Sequence, residues 1–135
     1  MNVPPKLQVE ITALLQEVQQ QGQFHHLILT DDSGMLVAAA GQADWEAETL
    51  AAMVGTVWRW VDRIHQRLGL AASDEVALRD TQGRRVVGRT FWVGEQRLTL
   101  ILVATVRQPY RRITTQAIHR IRDYLEQRRR RRGGE

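Results

Sequence analysis

The stretch Asp44–Leu68, DWEAETLAAMVGTVWRWVDRIHQRL, decides how this chain folds. Leu50, Val54, Val57, Val61, Ile64 and Leu68 recur at alternating steps of four and three. At about 100° per residue they fall on one stripe of an α-helix. Met53 and Trp60 widen that stripe on one side, and Ala47, Ala51, Gly55 and Trp58 widen it on the other. The apolar arc then spans about 220° of the wheel, where a surface helix needs little more than about 100°. Arg59, Arg63, Arg67 and Glu48 hold what is left. A helix this apolar has more to bury than one sheet face covers. One flank is expected to pack on a sheet and the other on a partner, most simply a second copy of the chain. Burial wholly within one domain is the alternative. The small residues Ala51, Ala52 and Gly55 would admit a second backbone closely. Ala47, Ala51, Gly55 and Trp58 are therefore the expected helix contribution to a dimer interface.

Before this helix, Val3-Pro4-Pro5 opens a helical pattern with Leu7, Ile11, Leu14, Leu15 and Val18 on one face. Gly22 is the expected left-handed cap. Phe24–Thr30 (FHHLILT) reads as a strand, Asp31-Asp32-Ser33-Gly34 as a turn, and Met35–Ala40 (MLVAAA) as the returning strand of a hairpin. Asp44 is the expected N-cap of the long helix, with Glu46 and Glu48 in its first turn and Gly69 at its end.

Three more strands follow: Asp74–Asp80, with Val76 and Leu78 inward, then Arg84–Trp92 and Gln96–Val106. In the last, Leu98, Leu100 and Leu102 face one way and Ile101 and Val103 the other, the pattern of a central strand covered on both sides. Gln108-Pro109-Tyr110 opens a final helix to about residue 127, with Ile113, Ala117, Ile121 and Leu125 at four-residue spacing. The order is α-β-β-α-β-β-β-α. It predicts an α+β sandwich, one five-stranded antiparallel sheet with helices on both faces.

Composition excludes several functions. The chain has 135 residues and no cysteine, which removes disulfides and thiolate chemistry. No apolar run approaches the roughly 18 residues of a membrane span and no signal-peptide pattern opens the chain, so a cytoplasmic location is expected. The formal net charge of +4 lies wholly in residues 128–135, RRRRRGGE; residues 1–127 carry equal numbers of acidic and basic side chains. The expected organisation is one domain over 1–127 and a disordered arginine tail over 128–135. Lys6 is the only lysine among 19 basic residues, a skew that reflects composition more often than a guanidinium-specific task. The tail Arg128, Arg129, Arg130, Arg131 and Arg132 reads either as solvated chain or as a candidate binder of anionic lipid or nucleic-acid phosphate.

No G-x-x-x-x-G-K occurs, so the chain is not itself a P-loop GTPase. His25 and His26 are adjacent on a strand and point to opposite faces. Neither they nor His65 and His119 have metal-ligand spacing. Asp31–Gly34 lacks the further oxygens of a calcium loop. No catalytic, cofactor-binding or metal-binding residue is expected. Trp45, Trp58 and Trp60 read as core or dimer packing or as a partner anchor.

The set of patterns resembles the roadblock (dynein light-chain-type) domain family. The matching pieces are the turn Asp32-Ser33-Gly34-Met35-Leu36-Val37-Ala38, the helix start Glu46–Met53, and the meander with Gly83 between its first strands and Leu98–Val103 in its last. The resemblance covers about residues 7–126. It departs at Arg107-Gln108-Pro109-Tyr110, where many members have a small, glycine-containing turn. It implies a roadblock/profilin-like fold and a non-catalytic homodimer built on the long helix and the edge strand after it, which adds Val76 and Leu78 to the interface. It also implies regulation or scaffolding of a small Ras-like GTPase, the habit of bacterial members. Trp45, Arg59 and Arg63 on the helix edge are the candidate partner contacts. The alternative is a dimeric sensor-like module, or one that uses the basic tail on nucleic acid or an anionic surface.

Overall fold

The computed structural model describes residues 3–41, 46–105 and 107–133, with side chains as far as 131. Its elements are α1 (Pro5–Gly22), β1 (His26–Asp31), β2 (Leu36–Gly41), α2 (Ala47–Leu68), β3 (Glu75–Arg79), β4 (Arg85–Val93), β5 (Gln96–Ala104) and α3 (Arg111–Gly133). This is the expected order. The five strands form one sheet in the order β2-β1-β5-β4-β3, and every pairing is antiparallel. A hairpin and a meander thus meet through β1 and β5, while α2 carries the chain from one sheet edge to the other.

Alternation along the strands builds two cores. Leu27 and Leu29 of β1, Val87, Phe91 and Val93 of β4, and Leu98, Leu100 and Leu102 of β5 point to one face. There they meet Leu7, Ile11, Leu15 and Val18 of α1 and Ala117, Ile118, Ile121 and Leu125 of α3. Ile28 and Ile101 point to the other face and meet Ala51 of α2. β5 is therefore the twice-covered strand that its continuous apolar run predicts.

The β1–β2 and β3–β4 hairpins use the same device. Asp31 Oδ1 accepts from the backbone N–H groups of Ser33 (3.0 Å) and Met35 (2.9 Å). Asp80 Oδ1 accepts from those of Gln82 (2.9 Å) and Arg84 (2.9 Å). In each turn the glycine three residues on, Gly34 or Gly83, has φ +87°, a conformation that a residue with a Cβ resists.

Several expectations change. Gln23, with φ 55°, is the left-handed cap of α1, one residue beyond Gly22. Gly22 is needed for a different reason: a Cβ there would fall inside the Phe24 ring, which is buried beneath the helix end. Asp44, the expected N-cap of α2, lies outside the described residues, as does Val106; the helix begins at Ala47, so Glu46 takes the N-cap position without a side-chain cap bond and only Glu48 lies in the first turn. Gly69 caps α2 in the left-handed conformation, as expected. α3 does not stop near residue 127 but runs helical through the arginines to Gly133, where the sequence reading placed a disordered tail. Arginine is a good helix former, and cations are favourable at a helix C-terminus.

Candidate functional site

The wide apolar arc of α2 is divided between two environments. Ala51, Gly55 and Trp58 are buried against their own sheet, with Ala47 half-buried beside them. The opposite flank lies open: Met53 (61% exposed), Trp60 (63%), Ile64 (52%) and Leu68 (67%) all face solvent. Between the two flanks, Leu50, Val54, Val57 and Val61 are half-buried.

Three contacts fix this rotation of the helix. Gly55 lies on the tip of the first hairpin, so close that a Cβ on it would stand 2.9 Å from Gly34 Cα. Trp58 lies over Gly88 of β4, whose missing side chain leaves room for the indole. Arg97 of β5 lies 5.6 Å from the Trp58 ring centroid and donates two hydrogen bonds to Asp62, at 3.3 and 3.1 Å. A bidentate guanidinium–carboxylate pair is directional and sets the roll of the helix as well as its height.

The flank that the sequence reading gave to a dimer is thus taken up inside the protomer. Ala51, Gly55 and Trp58 are not available to a second copy. Their small volumes serve the intramolecular approach to Gly34, and the large residues on the other side of the arc are left outside. Val76 and Leu78 are not inward either: Val76 is half-buried and Leu78 is 58% exposed. Register explains this. Val76 pairs with Gly88 and Leu78 with Val86, and Val86 packs on the α2 side of the sheet. Val76 and Leu78 therefore stand on that same face, at the edge where α2 does not reach.

Apolar side chains are thus left open in two places, on the free flank of α2 and at Leu78 of β3. On its other face, β3 is tied to α3. Glu75 accepts from the Tyr110 hydroxyl at 3.1 Å and lies 3.5 Å from Arg111 and 3.6 Å from Arg89. Arg89 in turn donates to the hydroxyls of Thr114 (2.8 Å) and Thr115 (2.7 Å) and to the carbonyl of Arg111. Partial burial, with the Glu75 charge beside it, pushes the Tyr110 phenol above its ordinary range. The edge strand is thereby held rigid from the side away from the open face.

Arg59 and Arg63 are exposed, Arg59 donating to the Thr56 hydroxyl at 3.3 Å. Trp45 lies outside the described residues. His25 is exposed and His26 half-buried on β1, and His65 is bonded to the Ala71 carbonyl. Among the described residues no three His, Cys, Asp or Glu side chains gather to hold a metal ion. A groove of about 330 Å³ between the end of α1 and the start of α3, lined by Gln21, Tyr110, Arg112 and Gln116 among others, contains no carboxylate or imidazole. No helix among the described residues is long and apolar enough to cross a membrane. The feature that stands out among the described residues is the open apolar flank of α2. Sequence reading missed Met53, Trp60, Ile64 and Leu68 as its centre. The usable signal was pairwise: two glycines, Gly34 and Gly55, in elements that must pack together.

A five-stranded antiparallel sheet with α1 and α3 on one face and a single crossing helix on the other is the roadblock fold. No protein-family model matches the chain and no curated protein matches it by sequence. Solved structures do match in shape. Myxococcus xanthus MglB superposes with a TM-score of 0.71 at 15% identity, over 94% of this chain and 92% of that one. The gliding protein MglB from Thermus thermophilus gives 0.65 at 19% identity, over 94% and 91%. A Roadblock/LC7 domain from Streptomyces avermitilis gives 0.71 at 14% identity, over 84% and 96%. The resemblance drawn from the sequence therefore holds for the fold.

Proposed function

We propose that this chain is a non-catalytic, cytoplasmic, homodimeric regulatory or scaffold protein that binds a small Ras-like GTPase and modulates its nucleotide cycle or its localisation. The observation that carries the reading is the open apolar flank of α2, Met53, Trp60, Ile64 and Leu68, together with the half-buried Val76 and exposed Leu78 of the edge strand β3. Large apolar side chains grouped on one face mark an interaction site. A second copy meeting it about a two-fold axis would cover both patches at once, because such an interface is self-complementary.

The GTPase half rests on the roadblock resemblance and on the absence of a phosphate cradle in the sequence: a protein of this kind would act on a nucleotide switch that another chain holds. Trp45, Arg59 and Arg63 are the first positions to probe, since Trp and Arg carry interface energy more than other residues. The test is isothermal titration of the purified protein against each small GTPase of its host, loaded with GDP or with a non-hydrolysable GTP analogue. Binding in one nucleotide state over the other, weakened by about 1 kcal/mol or more on alanine substitution at one of these positions, supports the reading. If no GTPase binds more tightly than about 100 μM, the regulator reading fails.

A further inference from the structure

β3 and β4 set two arginines directly opposite each other, Arg79 and Arg85. The next pair toward the turn carries the ladder bond, the Asp80 N–H donating to the Arg84 carbonyl at 2.9 Å. Arg79 and Arg85 therefore form a non-hydrogen-bonded pair, the kind that brings side chains closest. Like charges placed this way repel. Val87, two residues on from Arg85, belongs to the core under α1 and α3, so both arginines stand on that face of the sheet. No carboxylate is free to separate them. Glu75 shares the face but is engaged by Tyr110, Arg89 and Arg111. Asp80 is spent on its own turn and on Arg84. β4, residues 105–110 and α3 as far as Arg122 contain no acidic residue.

We propose that Arg79 and Arg85 hold a phosphate dianion between them at the β3 edge of the sheet. Arg79 is exposed and, among the described residues, makes no hydrogen bond or ion pair. Arg85 is half-buried and fixed. Its Nη2 donates to the carbonyls of Thr105 (3.1 Å) and Gln108 (2.6 Å), and its guanidinium lies 5.3 Å from the Tyr110 ring centroid. Its Nε is buried with no acceptor. One guanidinium is thus set in place before binding, and only the other has freedom to lose. An anion between them turns one repulsion into two attractions. Two guanidinium charges match a doubly charged phosphate, and each fork can bind it through two parallel hydrogen bonds. A lone carboxylate balances only one of them. An extended polyanion is disfavoured, because residues 1–127 are neutral in sum and offer no long basic track for a phosphate backbone. The site lies on the sheet face away from α2 and is separate from the open apolar flank. The chemistry recognised is the phosphate dianion, either free or at the end of a small ester.

The test uses the full chain and thermal melts at matched ionic strength, with inorganic phosphate, glycerol 3-phosphate or acetate at up to about 10 mM. At least one of the two phosphates is expected to raise the melting midpoint by about 2 °C or more, and acetate is not. The larger of the two shifts tells a free phosphate from an esterified one. Arg79→Gln should abolish the shift. General salting effects act on parent and variant alike, so only their difference reports the site. Arg79→Glu should also abolish it, and in chloride alone should melt no lower than the parent, because a carboxylate opposite Arg85 is favourable. That variant separates loss of the site from loss of the fold. Four results overturn the proposal: no shift with either phosphate, an equal shift with acetate, a shift retained by Arg79→Gln, or an Arg79→Glu variant that melts well below the parent in chloride. No arm of the experiment involves a GTPase.

Discussion

Gly55 of α2 sits on Gly34 at the tip of the first hairpin so closely that neither position has room for a side chain. A Cβ on Gly55 would stand 2.9 Å from Gly34 Cα, and a Cβ on Gly34 would stand 3.2 Å from Ala52 Cα in a backbone conformation already at φ +87°. The obstacle on both sides is backbone, which cannot rotate away. Gly55→Ala gains about 1 kcal/mol of helix propensity but forces the hairpin tip off the helix, an overpacking that costs about 1–3 kcal/mol. The expected outcome is a lower urea midpoint with an unchanged slope. Gly55→Glu should unfold the protomer and not merely separate subunits. A Gly55→Ala variant more stable than the parent would show that α2 does not rest on the hairpin tip.

Trp60 and Ile64 predict the assembly. Both are more than half exposed in the protomer, so replacing both with Glu removes little intramolecular packing. It places charge at the centre of the proposed dimer contact, where an unpaired buried ion costs several kcal/mol. Light scattering should report a dimer for the parent and a monomer for Trp60→Glu/Ile64→Glu at micromolar concentration, with circular-dichroism spectra that coincide. A dimeric double variant would move the interface elsewhere.

Asp62 and Arg97 predict a measurable coupling. The pair is bidentate, and the Arg97 side chain is only 18% exposed. The Asp62 side chain is 40% exposed, so solvent screens part of the attraction. The coupling free energy from Asp62→Asn, Arg97→Gln and the double variant should be about 1 kcal/mol, at the upper end of the range for accessible pairs. Arg97 also faces the Trp58 ring, so Arg97→Gln alone should shift the tryptophan emission, while Asp62→Asn should shift it less.

Asp31 predicts the acid limb of the stability curve. Burial pushes its carboxyl upward, but hydrogen bonds, among them those from Ser33 and the Met35 backbone, outweigh burial and leave it below the ordinary carboxylate value. A depressed folded-state value means the unfolded chain binds the proton more readily. The stabilisation is therefore complete above the unfolded value, 3.8, and is lost as pH falls through the folded one. Asp31→Asn should lower stability at neutral pH and flatten the dependence below about pH 4. Parallel acid limbs for the two proteins, measured by urea melts between pH 2.5 and 6, would assign that limb to other carboxylates.

Periodicity carried most of the fold into the open. A side-chain period is a local property: the row Leu98, Leu100, Leu102 against Ile101, or Ile113, Ala117, Ile121, Leu125, is written in consecutive residues and survives whatever they pack against. Element order and the twice-covered β5 followed from such rows, and the turn Asp31–Gly34 from its short polar side chains and glycine. Which strand edges meet, and which way α2 rolls, are not local. The sequence shows that α2 has an apolar arc too wide for one sheet. It does not show which flank turns inward, because Ala51, Gly55 and Trp58 on one side and Met53, Trp60 and Ile64 on the other are both apolar. The choice is made by shape. Backbone can approach backbone only where Gly55 meets Gly34, and the indole of Trp58 fits only above Gly88. Arg97 then locks the roll through Asp62, a partner 35 positions away. Likewise the composition revealed an excess of +4 in the last eight residues, but only the tertiary structure continued α3 through the arginines to Gly133. What the residues determined alone was which elements form and how much apolar surface each must hide. Which part of that surface stays open for a partner was decided by steric fit between residues far apart in the chain.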